Sequence, residues 1–391
     1  MSLETVHTTE TEVQKNGNAS PWLERKFSSV LEDAGITING PQAWDPQIHS
    51  ARALRRIVFG GTLGAGESYV DGEWDCTSLD QLSARLLGSG VNERWESFSG
   101  FSLRKLAGSF INFQSRAFAR RNVTAHYDIG NELYSAMLGP SMAYSCGYWH
   151  HAKSLDEAQF AKHELICRKL GLAKGMSVLD IGCGWGGFAK HAAERYDVKV
   201  LGVTLSPAQA KYASARCAEL PIEIRLQDYR DVRGTFDRIV SIGMFEHVGA
   251  RNYHEYFESV HRNLAQDGLF LLHTIGCLHS VKKFDRWMNR YIFPNAMVPS
   301  GSQIERRSEG LFVMEDWHNF GADYDKTLMA WHANFTSVWP VFQETYGKRF
   351  HRMWNYYLLT CAGSFRARHN QLWQVVFSKH GVPGGYARLG S

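Results

Sequence analysis

The sequence predicts an α/β fold: a mainly parallel sheet covered by helices on both faces, preceded by a small α+β domain. Three observations carry this expectation. From residue 155 onward, apolar runs of strand length alternate with stretches of helical periodicity. A glycine-rich turn, Gly182-Cys183-Gly184-Trp185-Gly186-Gly187, follows the first of those strands. The 391 residues are 44% hydrophobic and 21% charged, an ordinary globular balance with length for two or three domains.

Residues 1–20 show no hydrophobic periodicity and are expected to form a flexible tail. They carry Glu4, Glu10 and Glu12, which suits neither a signal peptide nor a basic transit segment. Residues 21–96 are assigned to the small N-terminal domain. Pro21 opens a short helix in which Trp22, Leu23, Phe27, Val30 and Leu31 share a face, and Gly35 ends it. Short β and helical pieces follow, separated by Gly60-Gly61 and Gly64-Ala65-Gly66, with no catalytic motif among them.

Residues 97–125 are read as a basic amphipathic linker. Between residues 97 and 127 there is no acidic residue, while Arg104, Lys105, Arg116, Arg120 and Arg121 flank an apolar face of Leu103, Leu106, Phe110, Phe113 and Ala117. Such a helix suits an anionic membrane surface, or a place between two domains, and both readings stay open.

Residues 126–391 are expected to form the catalytic domain. A helix covers 155–171. Strands are expected at 177–181, 198–205, 222–227, 236–242 and 269–274, with helices at 187–196, after Ser206-Pro207, and at 252–265. Ser206-Pro207 is a strong start signal, a serine cap followed by proline at the first helical position. The later chain reads as helical and aromatic, and "LWQVVFSK" near its end as a returning edge strand. The aromatic stretch from Trp287 to Trp354 would wall an apolar tunnel or simply fill a core.

The charge balance removes some functions. Net charge is +4 from 43 basic and 39 acidic residues, too mild for a nucleic-acid surface. Seven cysteines include no CxxC pair, so a reduced, cytoplasmic setting is expected, without a zinc site or disulfide scaffold. His247, His254, His261 and His279 have no convincing metal-ligand spacing. No apolar run approaches the roughly 20 residues of a membrane span.

The glycine turn narrows the ligand. Glycines at a strand-to-helix junction let the backbone approach a ligand, and the helix start offers free N–H groups. A dinucleotide site would want an acid about 20 residues on, where this chain has Thr204-Leu205-Ser206. Asp180, just before the glycines, suits a ligand bearing an ammonium group, as S-adenosylmethionine (SAM) does.

Eight ordered blocks then give the chain a family resemblance. "HYDIGNELY" (126–134), "YSCGYW" (144–149), "LDIGCGWGG" (179–187), "GVTLSPAQ" (202–209), "LQDYRD" (226–231), "MFEHVG" (244–249), "LLHTIG" (271–276) and "MEDWHNFGADY" (314–324) resemble, in sequence and order, the cyclopropane-fatty-acid synthases. The likeness runs from about residue 50 to the C-terminus. It implies a seven-stranded class I SAM-methyltransferase domain, Rossmann-like, with a lipid-engaging N-terminal domain. It also implies a homodimer at the inner face of the membrane, acting on unsaturated phospholipid. The implied reaction is methylene transfer from SAM to a cis double bond.

By the same resemblance, Tyr144 and Ser145 flank the cofactor. The loop with Asp180, Gly182, Gly184 and Gly186 holds its methionine and ribose part. Thr204, Leu205 and Gln209 contact ribose and adenine edges, and Gln227 with Asp228 reads the adenine. A bicarbonate ion is expected on Cys146, Glu246, His273, the Ile275 backbone and Tyr324.

Such chemistry has clear demands. An alkene is a weak neutral nucleophile, so catalysis rests on positioning it in a dry pocket against an electrophilic methyl. Aromatic faces can stabilise the resulting carbocation, and ring closure needs a base beside the new methyl. Tyr324, His273 and the Ile275 amide can donate to an anion, and Cys146 weakly. Glu246 repels one unless it shares a proton, and is expected to tune the ion's basicity. Taken singly, Cys146 and Tyr324 would be read as core residues. Two other functions stay open: alkene methylation without ring closure, and a non-catalytic lipid binder that keeps SAM.

Overall fold

The computed structural model describes residues 21–90, 130–281 and 284–388. The tail at 1–20 and the basic linker at 97–125 therefore lie outside the described residues.

The chain starts with α1 (Pro21–Glu32), β1 (Gln47–Ile48), α2 (Ala51–Val70), β2 (Trp74–Asp75) and α3 (Leu79–Gly88). Strands β1 and β2 pair antiparallel. Ser50 caps α2 by accepting from the Arg52 amide, and the helix breaks at Gly61, whose φ of 59° suits a glycine.

After α4 (Asn131–Leu138) and α5 (Leu155–Lys169) the sheet begins. It comprises β3 (Ser177–Ile181), α6 (Gly187–Tyr196), β4 (Lys199–Thr204), α7 (Pro207–Arg216), β5 (Ile222–Leu226), β6 (Phe236–Ile242), α8 (Tyr253–Asn263) and β7 (Leu264–Cys277). Then come α9 (Arg286–Tyr291), α10 (Gly301–Ser308), β8 (Val313–Asn319), α11 (Ala322–Arg366) and β9 (Asn370–Ser378). The seven strands run in the order β5-β4-β3-β6-β7-β9-β8. The first five are mutually parallel, and β9 lies antiparallel to both neighbours.

Side-chain alternation along each strand makes both faces apolar. Val178, Val200, Val240, Leu271 and Val376 bury with Ile166 of α5 and Phe188 of α6. Leu179, Ile239, Phe270, Leu272 and Phe377 bury against Tyr256 and Phe257 of α8. Ser206 caps α7 and Pro207 opens it, as the sequence predicts.

One expectation is corrected. The segment "LWQVVFSK" is not an edge strand, because β9 sits between β7 and β8 and is buried along nearly its whole length. The edge is β8, whose "VMEDWHN" is largely polar and half-exposed, a composition that tolerates an open edge but hides a strand from hydrophobic patterning.

Helix α11 cannot be one straight rod. At 1.5 Å per residue, 45 residues would span about 68 Å, yet Arg366 bonds Asp325 at 2.9 Å and His332 meets Asn355 at 3.1 Å. The chain turns back at Gly347, where φ is 72° and ψ 168°, giving an antiparallel helical hairpin. Its aromatic face forms one core with the N-terminal helices: Leu31, Leu54, Trp74, Leu79 and Leu82 cluster with Trp331, Trp354, Tyr357 and Phe365. At Gly363 the backbones approach so closely that a Cβ would lie 2.3 Å from the Asp80 carbonyl oxygen.

Candidate functional site

A cleft opens at the carboxyl ends of β3, β4 and β6, where an open α/β sheet places its ligands. The glycine turn forms its floor. Gly182, Gly184 and Gly186 have φ of 83°, 54° and 79°, a region that only glycine enters without strain. Gly182 also packs so that a Cβ would fall 2.6 Å from Met244. Gly182 and Gly184 line the cleft, whereas Gly186 sits behind it as the cap of α6.

The segment 141–146 passes over this turn. A Cβ at Gly187 would meet the Ser141 carbonyl at 2.6 Å, and Arg216 of α7 grips the carbonyls of Pro140 and Ser141. Tyr144 and Ser145 consequently line the cleft. The Tyr144 hydroxyl donates to Tyr357 at 2.8 Å, and its ring packs on Trp331 at 5.2 Å.

Asp180 is buried, and its Oδ2 has no hydrogen-bond partner among the described residues. Burial pushes its carboxyl up to about 7, against the pull of the Lys162 ammonium. On the far side Thr204 donates to Gln209 Oε1 at 2.8 Å, and Ser206 accepts from the Gln209 amide. Thr204, Leu205, Gln209, Gln227 and Asp228 all line the cleft. Asp228 also carries a forked pair with Arg230, at 2.9 and 2.6 Å, so its carboxylate is anchored as well as exposed to the cleft.

None of the five residues expected around the anion is among those that line the cleft. Cys146 follows Ser145, and Glu246 stands between the lining Met244 and His247. Glu246 sits on the 3-10 turn after β6; its Oε1 accepts from the Ile275 amide at 2.7 Å. The amide expected to face an anion is thus held by Glu246 itself. Glu246 Oε2 is buried with no geometric hydrogen bond among the described residues, and burial, outweighing the Ile275 amide and the nearby Thr274 hydroxyl, raises the carboxyl to about 7. With Oε1 engaged by an N–H, a proton on this group resides on Oε2 and points an O–H donor into the interior.

His273 of β7 is buried, and burial holds its imidazole well below the usual range, hence neutral. Gln374 of β9 donates to its Nδ1 at 3.3 Å, which leaves the ring proton on Nε2, an atom with no partner. Cys146 is fully buried, with Thr327 of α11 approaching its sulfur at 3.9 Å. Tyr324 lies one turn earlier on α11, packed on Phe365 at 4.5 Å. The structure therefore joins Glu246 to Ile275 directly, and Cys146 to the helix that carries Tyr324 through Thr327.

His247 and Lys162 are among the cleft residues to which the sequence assigns no ligand role. His247 lines the cleft, and burial lowers it to about 4. Lys162 is fully buried, donating to Ser145 Oγ at 2.9 Å and to Gln159 Oε1 at 2.6 Å. The signal was present: Gln159 and Lys162 interrupt the stripe of Leu155, Ala158 and Ile166 that faces the core.

The family description "Mycolic acid cyclopropane synthetase" matches residues 114–375. The chain belongs to the cyclopropane synthase family. It is 51% identical over 361 residues to the cyclopropane-fatty-acyl-phospholipid synthase of Escherichia coli K12, covering 92% of this chain and 94% of that one. Cyclopropane mycolic acid synthase 2 of Mycobacterium leprae is 35% identical over 66% of this chain and 93% of its own. Among solved structures, the cyclopropane synthase MmaA2 of Mycobacterium tuberculosis superposes with a TM-score of 0.63, at 31% identity over 66% of this chain and 98% of that one. The cyclopropane synthase CmaA1, solved with SAH and CTAB, gives 0.62 at 33% identity with the same coverage. As a member of the cyclopropane synthase family, the chain has the class I SAM-methyltransferase sheet, and residues of the blocks "YSCGYW", "LDIGCGWGG", "GVTLSPAQ", "LQDYRD" and "MFEHVG" line one cleft at its edge.

Proposed function

We propose that the protein transfers a methylene group from SAM to the cis double bond of unsaturated acyl chains in membrane phospholipids, closing a cyclopropane ring, with bicarbonate as the base. The observation that carries this reading is adjacency. The cleft and the polar centre share continuous chain, Ser145-Cys146 on one side and Met244 to His247 on the other.

The residues fit a small oxyanion. His273 Nε2 and Glu246 Oε2 are buried polar atoms without hydrogen-bond partners among the described residues, and in the neutral forms favoured by burial both are donors. A protonated Glu246 removes the like-charge repulsion that an ionised one would impose. When bound, SAM supplies an electrophilic methyl and bicarbonate supplies a base for the proton that ring closure sheds.

The chain's own residues supply position and dryness. Asp180 and the glycine turn seat the cofactor's amino-acid end. The ring of Tyr144, which lines the cleft and is backed by Trp331, offers an electron-rich face to a cationic acyl carbon. The packed aromatic hairpin of α11 excludes water that would trap that cation.

The reading includes work at the inner face of the membrane, as a peripheral homodimer. Among the described residues no helix is long and apolar enough to cross a bilayer. The test is purified protein with SAM and vesicles of mono-unsaturated phospholipid, with and without added bicarbonate, followed by mass and NMR analysis of the acyl chains. Cyclopropane protons that build up faster with bicarbonate are expected. A methyl-branched alkene, or a rate indifferent to bicarbonate, contradicts the assignment.

A further inference from the structure

A buried lysine is costly unless something compensates its charge. Lys162 has no exposed surface, yet both of its hydrogen-bond acceptors, Ser145 Oγ and Gln159 Oε1, are neutral. An ammonium has three N–H donors, so one remains beyond these two bonds. Asp180, which also lines the cleft, is equally buried, with Oδ2 unpartnered among the described residues. The two feel each other's charge, but among the described residues neither hydrogen-bonds the other. Burial lowers Lys162 to about 7 and raises Asp180 to about 7, so the cleft holds an amine and a carboxyl that a bound zwitterion would draw into their charged forms, each with unused bonding capacity. A zwitterion with its charges on neighbouring atoms, the α-amino-acid end of SAM, complements that arrangement.

We propose that Lys162 is the residue that recognises the α-carboxylate of the methyl donor, while Asp180 takes its α-ammonium. Ser145 assists, because its oxygen already accepts from Lys162 and its own O–H is left to donate. Gln159 fixes the frame by donating to the Ser145 carbonyl at 2.8 Å. This rests on the cleft being the SAM site. It adds a selection rule: the donor must keep its carboxylate. A purely structural alternative also exists, in which Lys162 only ties α5 to the 143–145 segment.

The two roles separate in a binding experiment on the full chain. S-adenosylhomocysteine and its decarboxylated analogue are titrated calorimetrically into the wild type, Lys162→Met and Lys162→Arg. The wild type should prefer the carboxylated ligand by about 30-fold or more. Lys162→Met should lose that preference by weakening S-adenosylhomocysteine while leaving the decarboxylated analogue within about threefold, and Lys162→Arg should retain part of it. If Lys162→Met weakens both ligands alike, or keeps the preference, the role of Lys162 is overturned. A wild type that binds neither ligand overturns the SAM reading itself. Should Lys162→Met fail to fold, Lys162→Gln is read in the same way.

Discussion

Glu246 concentrates the account at the scale of the residue. Its folded value of about 7 lies above the ordinary 4.5, so between those values the folded chain keeps a proton that the unfolded chain has lost. Stability must therefore fall as pH rises through that window. Glu246→Gln keeps the acceptor for the Ile275 amide and has no charge to bury. Urea unfolding should find it more stable than wild type at pH 8, by up to about 3 kcal/mol, and nearly equal at pH 4.5. The same variant should slow cyclopropane formation by about a hundredfold and abolish the response to bicarbonate, read from initial rates. The residues of the cleft were legible because they occupy a turn and strand ends whose sequence is explicit. Lys162 was not, because its meaning depends on Asp180 and Ser145, which lie 18 and 17 positions away on other elements. The bond between Glu246 and the Ile275 amide was hidden for a related reason: the register of β6 against β7 decides it.

Among elements, the parallel strands were readable from apolar runs, and 177–181, 187–196 and 236–242 coincide with β3, α6 and β6. Strand β8 was not, since "MEDWHN" has no apolar alternation, and with β8 unseen β9 was taken for the edge. The hairpin of α11 depends on Gly347 alone, a glycine inside a helical pattern whose consequence only the long-range pairs reveal. Gly347→Ala should cost about 1–2 kcal/mol, because φ of 72° with ψ of 168° is backbone that essentially only glycine adopts. Gly363→Leu should cost more, about 1–3 kcal/mol, because its side chain must push α3 off α11. Thermal melts of the two variants check the ranking.

Over the whole molecule, the N-terminal helices and the α11 hairpin share one core and are also tied by charge. Arg366 bonds both Asp80 and Asp325, and Arg352 bonds Asp75. These pairs are partly exposed, so each is worth less than about 1 kcal/mol. Burial decides the matter: Trp74 is 4% exposed, and Trp74→Ala should cost about 3–5 kcal/mol, far more than Arg366→Ala. The described parts should accordingly unfold together, with circular dichroism and tryptophan fluorescence giving one coincident transition. Two separated transitions would contradict the shared core. That core brings the aromatic hairpin against the sheet that carries the cleft, and the central claim is that a methyl delivered there loses a proton before it leaves. The direct measurement uses SAM whose methyl group is fully deuterated, with mono-unsaturated vesicles, and counts deuterium in the product by mass spectrometry. The account predicts a ring methylene that has shed a single deuterium; a product that keeps the whole label as a methyl branch would contradict it.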